Sequence, residues 1–285
     1  MEYFDRRIKL SIEINGSLLE ISEEEFLDGN LAIEFEIKKA NDNYSSNGQI
    51  SITGLTVDDV AFLGSAYDLN TGQYKQSYIK LEAGYVGNTT ILLEGNIIEC
   101  KADLTSPDTK VVLKCMAGAY NNSKSKEESI SLKDSTLEDI LKKIANLNGM
   151  DYEIDPQLSA KLIPVYSFHG KPFAHIDNLV NNFSNLAKIF VDNNKIFMLK
   201  DSTAPITSSI IELANDSGLI GVPNYTPAGC EIVSLLNPSF QVNSHFKLTN
   251  LKIPKLNGIY RIMTLEFVGG NRSANFYCNI LGRMV

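Results

Sequence analysis

The chain has 285 residues, 44% of them hydrophobic, and a formal net charge of −8. That supplies apolar material for one large domain or two to three smaller ones, but no run approaches the ~20 apolar residues of a transmembrane helix. A net acidic chain with no basic block is poorly suited to gripping phosphates, although like charge would let it surround nucleic acid without sticking.

The start, Met-Glu-Tyr-Phe-Asp-Arg-Arg, has no apolar core followed by a cleavage site, so no signal peptide is expected. Residues 6–21 read as a hairpin. Ile8, Leu10, Ile12 and Ile14 alternate, Asn15-Gly16 supplies the turn, and Leu18, Leu19 and Ile21 follow. Glu23-Glu24-Glu25 reads as a solvated turn rather than a metal cluster, because no histidine or second acidic group is spaced to close a site. Leu31, Ile33, Phe35 and Ile37 alternate as a strand, Asn41 to Gly48 reads as loop, and Gln49 to Thr53 as another strand. Thr56 with Asp59 is a helix start, opening a helix through Leu63. Asp68 to Gln76 reads as a long loop reaching a neighbour, and strands Tyr78 to Tyr85 and Thr90 to Glu94 follow.

The next hairpin has a counterpart at the end of the chain. In the last one, Met263, Leu265 and Phe267 alternate, Gly269-Gly270-Asn271-Arg272 turns, and Ala274, Phe276, Cys278 and Ile280 return. Laying Gly95 on Gly258 gives Cys100, Ala102 and Leu104, the turn Ser106-Pro107-Asp108, then Val111, Leu113, Cys115 and Ala117. Apolar phase, turn position and length match, which is read as one structural plan used twice. The cysteines Cys100, Cys115, Cys230 and Cys278 form no C-x-x-C and read as small buried apolar residues in a reducing compartment.

Composition changes at Tyr120, where a polar linker runs to Glu128. Ser135 with Glu138 is read as a capping box for a helix carrying Leu137, Ile140, Leu141 and Ile144 and ending at Gly149. Tyr152-Glu-Ile is a short strand. A second helix starts near Pro172 and buries Phe173, Ile176, Leu179, Val180, Phe183 and Leu186. Ile189 to Val191 and Ile196 to Leu199 make a hairpin through Asn193-Asn194. After a boundary at Asp201 to Pro205 come strands Ser209 to Leu213, Cys230 to Leu236 and His245 to Thr249, then the final hairpin. The plan is mainly β with a smaller α/β module: all-β parts over 1–120 and 204–285, and the module over 121–203.

Four stretches carry a resemblance: Gly218-Leu-Ile-Gly-Val-Pro, Gly229-Cys-Glu-Ile-Val-Ser-Leu-Leu-Asn-Pro, Phe246-Lys-Leu and Gly258-Ile-Tyr-Arg-Ile. Together with the middle module they resemble the central baseplate hub proteins of contractile-tailed bacteriophages, of the phage Mu type. The resemblance implies two related tube-like β-barrels per chain and a homotrimer of six quasi-equivalent barrels. It implies a tail tube or tube-initiator protein above, a trimeric spike below, other baseplate proteins around, and DNA passing through the channel without specific binding. The implied place is the virion tail baseplate, after assembly in the host cytoplasm, with a role in genome ejection. Nothing after Val285 reads as a lysozyme or needle domain, which implies a separate spike protein. The hub of a phage-derived machine, pyocin or type VI-like, is an alternative.

Chemistry is sparse. No phosphate loop, H-E-x-x-H or G-x-S-x-G is present. His169 and His175 are read as turn and helix-surface residues, not as a metal pair; the third histidine is His245. Asp151, Glu153 and Asp155 are read as a solvated strand face with Tyr152 and Ile154 inward. The alternative is a peptidoglycan hydrolase acting through Asp151, Glu153 or Glu99. Gly218-x-x-Gly221 is read as a turn before Pro223. No catalytic, cofactor or metal residue is assigned, and a structural protein is expected.

Overall fold

The computed structural model describes residues 5–22, 31–41, 45–68, 70, 72–75, 77–103, 105, 108–118, 126–201, 203–206, 208–250 and 252–285. The turn at Glu23-Glu24-Glu25, Leu104, Ser106-Pro107 of the first repeated hairpin and residues 119–125 of the linker lie outside the described residues.

Strands β1 (Arg6–Ile14) and β2 (Ser17–Ile21) form the expected first hairpin. Asn15 and Gly16 take φ of 51° and 82°, the pair of positive values that a two-residue hairpin turn needs. β3 (Ala32–Ala40) and β4 (Asn47–Thr53) pair antiparallel, their alternating isoleucines facing one way. Helix α1 (Val57–Gly64) is opened by Thr56 and Asp59 in a reciprocal capping box, as the sequence predicts. The stretch read as a long loop instead holds a two-stranded turn, β5 (Tyr67–Asp68) with β6 (Gln73–Tyr74). β7 (Ser77–Tyr85), β8 (Asn88–Asp103) and β9 (Lys110–Met116) complete the first part, with β8 running unbroken where two strands are expected.

The middle part holds β10 (Glu128–Thr136), α2 (Leu137–Asn148), β11 (Asp151–Ile154), α3 (Pro156–Ser159), β12 (Leu162–Gly170), α4 (Pro172–Phe183), β13 (Lys188–Asp192) and β14 (Lys195–Leu199). The cap of α2 is Thr136 with Asp139, one residue beyond the Ser135–Glu138 reading. Both pairs fit the pattern, but β10 continues through Thr136, so Thr136 is where extended backbone gives way to helix. Gly149 closes α2 at φ 66°, as expected. This part has its own core, where Ile140, Leu141 and Ile144 meet Ile176 and Leu179.

The last part holds β15 (Ile211–Ala214), β16 (Leu219–Thr226), β17 (Gly229–Leu235), β18 (His245–Thr249), β19 (Gly258–Gly270) and β20 (Phe276–Met284). Gly218 to Gly221, read as a turn before Pro223, instead enters strand β16, which has a register break between Ile220 and Asn224 and Gly221 at φ 73°. A proline lacks the N–H of a ladder, so it suits a bulged strand at a sheet edge.

The first and last parts share one sheet, in the order β16-β17-β20-β19-β3-β4-β9-β8-β7-β1-β2. Two four-strand runs follow each other with the same connectivity. β3-β4-β9-β8 repeats as β16-β17-β20-β19, and each run ends in a hairpin whose first strand is bulged. The breaks lie between Ile97 and Glu99 and between Ile262 and Thr264. Matching the bulges sets Ile97 on Ile262 and Cys115 on Gly282, so the equivalence of Gly95 with Gly258 is out of register. The errors are even numbers of residues, which leaves the side chains past each bulge on their proper face; that is why the phase reading survived there. Met263, expected inward, is half-buried at its bulge, and Ala274 and Ala102 are exposed at hairpin ends, with Cys100 half-buried. Leu265, Phe267, Phe276, Cys278 and Ile280 do face the core, which runs continuously through both parts.

Candidate assembly surfaces

A strand inside a sheet satisfies its backbone on both sides, whereas an edge strand leaves a row of donors and acceptors open. β19 is an inside strand. Its start, Gly258 to Arg261, ladders with β18, its later part, Thr264 to Gly270, with β3, and β20 covers the other side. β8 repeats this layout up to a point. Its first half ladders with β7 and its second half with β9. On the other side of that second half, from Glu99 to Asp103, no described strand is laddered. At the far end of the sheet β16 pairs with β17 alone. One edge therefore stands where β19 stands, and the other where β3 stands.

The registers extend the match. Phe267 lies opposite Ile37 in the β19–β3 junction. Counting from the bulges, Ala102 holds the place of Phe267 on β8. Counting across the ladders, Tyr225 holds the place of Ile37 on β16. Tyr225 is 68% exposed although Cys230, opposite it, is 0% exposed. The tyrosine thus sits on the core side of the sheet with its ring uncovered.

The other face of the sheet carries charged side chains, with Val222, Val233 and Leu281 among them. A groove of about 640 Å3 crosses it from Val222 and Glu231 to Glu266 and Lys38. β3 contributes Glu34, Glu36 and Lys38 to this face, alternating with buried Ile33, Phe35 and Ile37. β8 and β9 contribute Glu99, Lys101 and Lys114. Lys38 Nζ is 2.5 Å from Glu36 and 3.3 Å from Glu266. Lys114 Nζ is 2.6 Å from Glu99, and Lys101 bridges the same carboxylate. These two lysines hold the Glu99 carboxyl down at about 2.

Buried and partly buried polar bonds join the three parts. Lys39, only 5% exposed, donates to Asp192 at 2.7 Å, and the Ser46 hydroxyl donates to the same carboxylate at 3.1 Å. Asn41 donates to Asn243 at 3.1 Å. Arg261 donates to the Asp201 carbonyl, and Arg6 donates to the Gly270 carbonyl at 3.1 Å while lying over the Phe276 ring at 4.8 Å.

The residues weighed for chemistry take other roles. Glu153, on β11 beside β14, and Asp155, which caps the helix after β11, are buried, not solvated, because the chain from Lys195 to Ile206 covers them. Glu153 accepts from Lys195 at 2.6 Å and from the Ile206 N–H at 2.7 Å. Asp155 accepts from the Gln157 and Lys200 N–H groups and from the Thr203 hydroxyl. Both carboxylates are occupied in holding backbone, and Asp151 is exposed on the same strand. His175 is buried rather than on the helix surface; its Nε2 is 3.1 Å from the Glu128 carbonyl and its ring meets Phe168 edge-on. His169 is exposed and sits between Ser129, 2.8 Å from Nδ1, and Glu127, 3.1 Å from Nε2. Sequence reasoning missed this row because β10 and β12 were not recognised as strands. Among the described residues no group of three or more His, Cys, Asp or Glu is placed to hold a metal ion.

Comparison with known proteins places this architecture. No curated protein sequence matches the chain. Among solved structures, the 43 kDa tail protein of prophage MuSo2 from Shewanella oneidensis is 9% identical, with 97% of this chain and 98% of that one covered and a TM-score of 0.62. A tail protein from Neisseria meningitidis MC58 is 9% identical over 97% and 96% of the two chains, with a TM-score of 0.61. An E. coli component of the type VI secretion system is 10% identical over 96% and 76%, with a TM-score of 0.58; that protein is described as structurally similar to the T4 tail proteins gp27 and gp5. At such identities the likeness is one of fold. The family model described as baseplate hub gp41 matches residues 7–282, and with nearly the whole chain inside that match the protein belongs to the baseplate hub gp41 family.

Proposed function

We propose that the chain works as a homotrimer forming the central ring of a phage tail baseplate. Each copy lays β16 against the second half of β8 in the next copy, using the ladder that β19 and β3 make within one chain. The observation that carries this reading is the repeated strand order, which ends on two edges that fit each other. A head-to-tail contact of this kind makes a ring when its rotation closes. Two four-strand units per chain then give six alike units around a threefold axis. Such a ring can face a sixfold tail tube or tube-initiator protein on one side and a trimeric spike on the other. Its centre is a channel for DNA during genome ejection.

In this reading residues 1–120 and 204–285 are the two barrels, and 121–203 is a module bracing them. The role is structural and is carried out in the virion, after assembly in the host cytoplasm. The fold likeness to a type VI secretion component supports a second reading, the hub of a phage-derived injection machine, which would use the same ring. The presence or absence of a packaged genome in the purified particle separates the two.

The test uses Ala102→Cys with Tyr225→Cys in one chain. Directly opposed strand residues place their Cβ atoms ~4.5–5.5 Å apart, close enough for a disulfide after a small adjustment. Oxidation should give covalent trimers on a non-reducing gel, and neither single variant should do so. If the wild-type chain sediments as a trimer and the double variant stays monomeric on the gel, this edge pairing is wrong. A chain that stays monomeric even with its spike protein present refutes the ring itself.

A further inference from the structure

Lysines on an exposed surface ordinarily attract a polyanion, since each phosphate contact releases a counterion. On the charged face of this sheet the lysines are already engaged. Lys38 lies between Glu36 and Glu266, on its own strand and on the neighbouring one. Glu99 bridges Lys101 and Lys114, one on each arm of the hairpin. Lys110 stands directly opposite Asp103 in the same ladder. Glu266 is further fixed by Asn279, whose amide donates to it at 2.6 Å. Glu99 follows the bulge of β8 directly and Glu266 lies two residues beyond the matching position on β19, so the two clusters occupy different places in their runs.

Exposed pairs of this kind contribute little to folding. Their larger consequence is for the field outside the sheet. An isolated lysine reaches across a Debye length of about 8 Å at physiological salt, whereas a lysine within hydrogen-bonding distance of a carboxylate leaves only a dipole that fades faster. A wall of free lysines would hold DNA, and a wall of free carboxylates would repel it.

We propose that Glu36, Glu99 and Glu266 cancel the lysines of this face, so that duplex DNA passes over it without being bound. The sequence suggested slipperiness from net negative charge; the geometry points to local cancellation. That DNA meets this face rests on the ring reading above. The electrostatic claim stands on one chain and can fail separately.

The test is binding of a fluorescent 20-base-pair duplex to the purified full chain, followed by anisotropy. The wild type should bind weakly. The triple variant Glu36→Gln/Glu99→Gln/Glu266→Gln should bind about tenfold or more tighter at 50 mM salt. If about three lysines then reach phosphates, raising salt to 200 mM should weaken binding roughly 40-fold. Adding Lys38→Gln, Lys101→Gln and Lys114→Gln to the triple variant should abolish the gain. Glu99→Gln alone, the mildest change, should give part of it and guards against a triple variant that folds poorly. The proposal is overturned if freeing the lysines gives no tighter binding, if the gain survives their removal, or if the wild type binds as tightly as the triple variant. Cross-linking of Ala102→Cys with Tyr225→Cys reports on the ring independently, so the two ideas can be lost one at a time.

Discussion

Lys38 and Lys39 are neighbours on β3, yet they stand on opposite faces of the sheet and have different work. Lys39 continues the inward row of Ile33, Phe35 and Ile37, is 5% exposed, and reaches Asp192 on the β13 strand of the middle part. Lys38 is 58% exposed and meets two carboxylates on the charged face. The same ammonium is a clamp where water is excluded and a charge canceller where water is present. Lys39→Ala should therefore be the more damaging change by far. It strands the Asp192 carboxylate in a mostly buried site, which typically costs about 3–5 kcal/mol. Urea unfolding measures this. The paired change Lys39→Met/Asp192→Leu should recover most of the loss; a pair no better than the single variant would mean that the clamp is not an isolated ion pair.

The two halves of the repeated hairpin make a second contrast. Phe267 is 1% exposed under the β3 ladder, while Ala102, at the matching position, lies at an edge and is exposed. Phe267→Ala should cost about 3–5 kcal/mol in the isolated chain, as large-to-small changes in a core do. Tyr225→Ala should leave the isolated chain almost unchanged, because its ring is uncovered, but in the proposed ring it should raise the concentration at which trimers form in sedimentation. Equal effects of the two changes on the isolated chain would erase the distinction between a sealed junction and an open edge. Glycine enforces the sealing next to Phe267. A Cβ on Gly269 would come 2.5 Å from the Phe35 ring and 2.8 Å from the Phe276 ring, so a side chain there has no room.

Much of this architecture is legible in the sequence because it rests on local rules. Asn15-Gly16, Thr56 with Asp59 and Gly149 are turn and cap signals with their own chemistry, and the strand phases follow from burial on one face. What is lost is whatever depends on non-local pairing. Alternation cannot distinguish registers that differ by two residues, so the repeat is visible while its alignment is not. Glu153 and Asp155 read as solvated because acidic residues usually are; only the later chain, Lys195 to Ile206, folded back over them, buries them. Pro164 and Pro223 hide β12 and β16, since proline argues against a strand unless the strand lies at an edge. The two open sheet edges themselves leave no local mark. They emerge once the strand order is known.

The buried acid Asp155 should show itself in the pH dependence of stability. Burial pushes its carboxyl up, but the Thr203 hydroxyl and the N–H groups of Gln157 and Lys200 outweigh this, and the net shift is downward. A carboxyl lowered by folding stabilises the native state above its unfolded value, about 3.9, and that contribution is lost as pH falls through the folded value. Urea midpoints measured from pH 6 down to pH 3 should fall less steeply in Asp155→Asn than in the wild type. Identical slopes would show that this site does not take up a proton on unfolding.

A small effect is expected from Lys38→Met, and it closes the comparison of the two β3 lysines. Removing the ammonium leaves Glu36 and Glu266 near each other on adjacent strands, but their side chains are 48% and 25% exposed and stay hydrated. Their repulsion is then a screened surface interaction, and the loss should be no more than about 1 kcal/mol. It should also grow when salt is lowered, because screening weakens as the Debye length lengthens from about 8 Å toward about 30 Å at 0.01 M. The loss from Lys39→Ala should depend much less on salt, since its partner is shielded by protein rather than by ions. Thermal melts of both variants at two salt concentrations therefore separate the faces by slope as well as size, and a Lys38 effect that is large and insensitive to salt would mean that the charged face is not open to water.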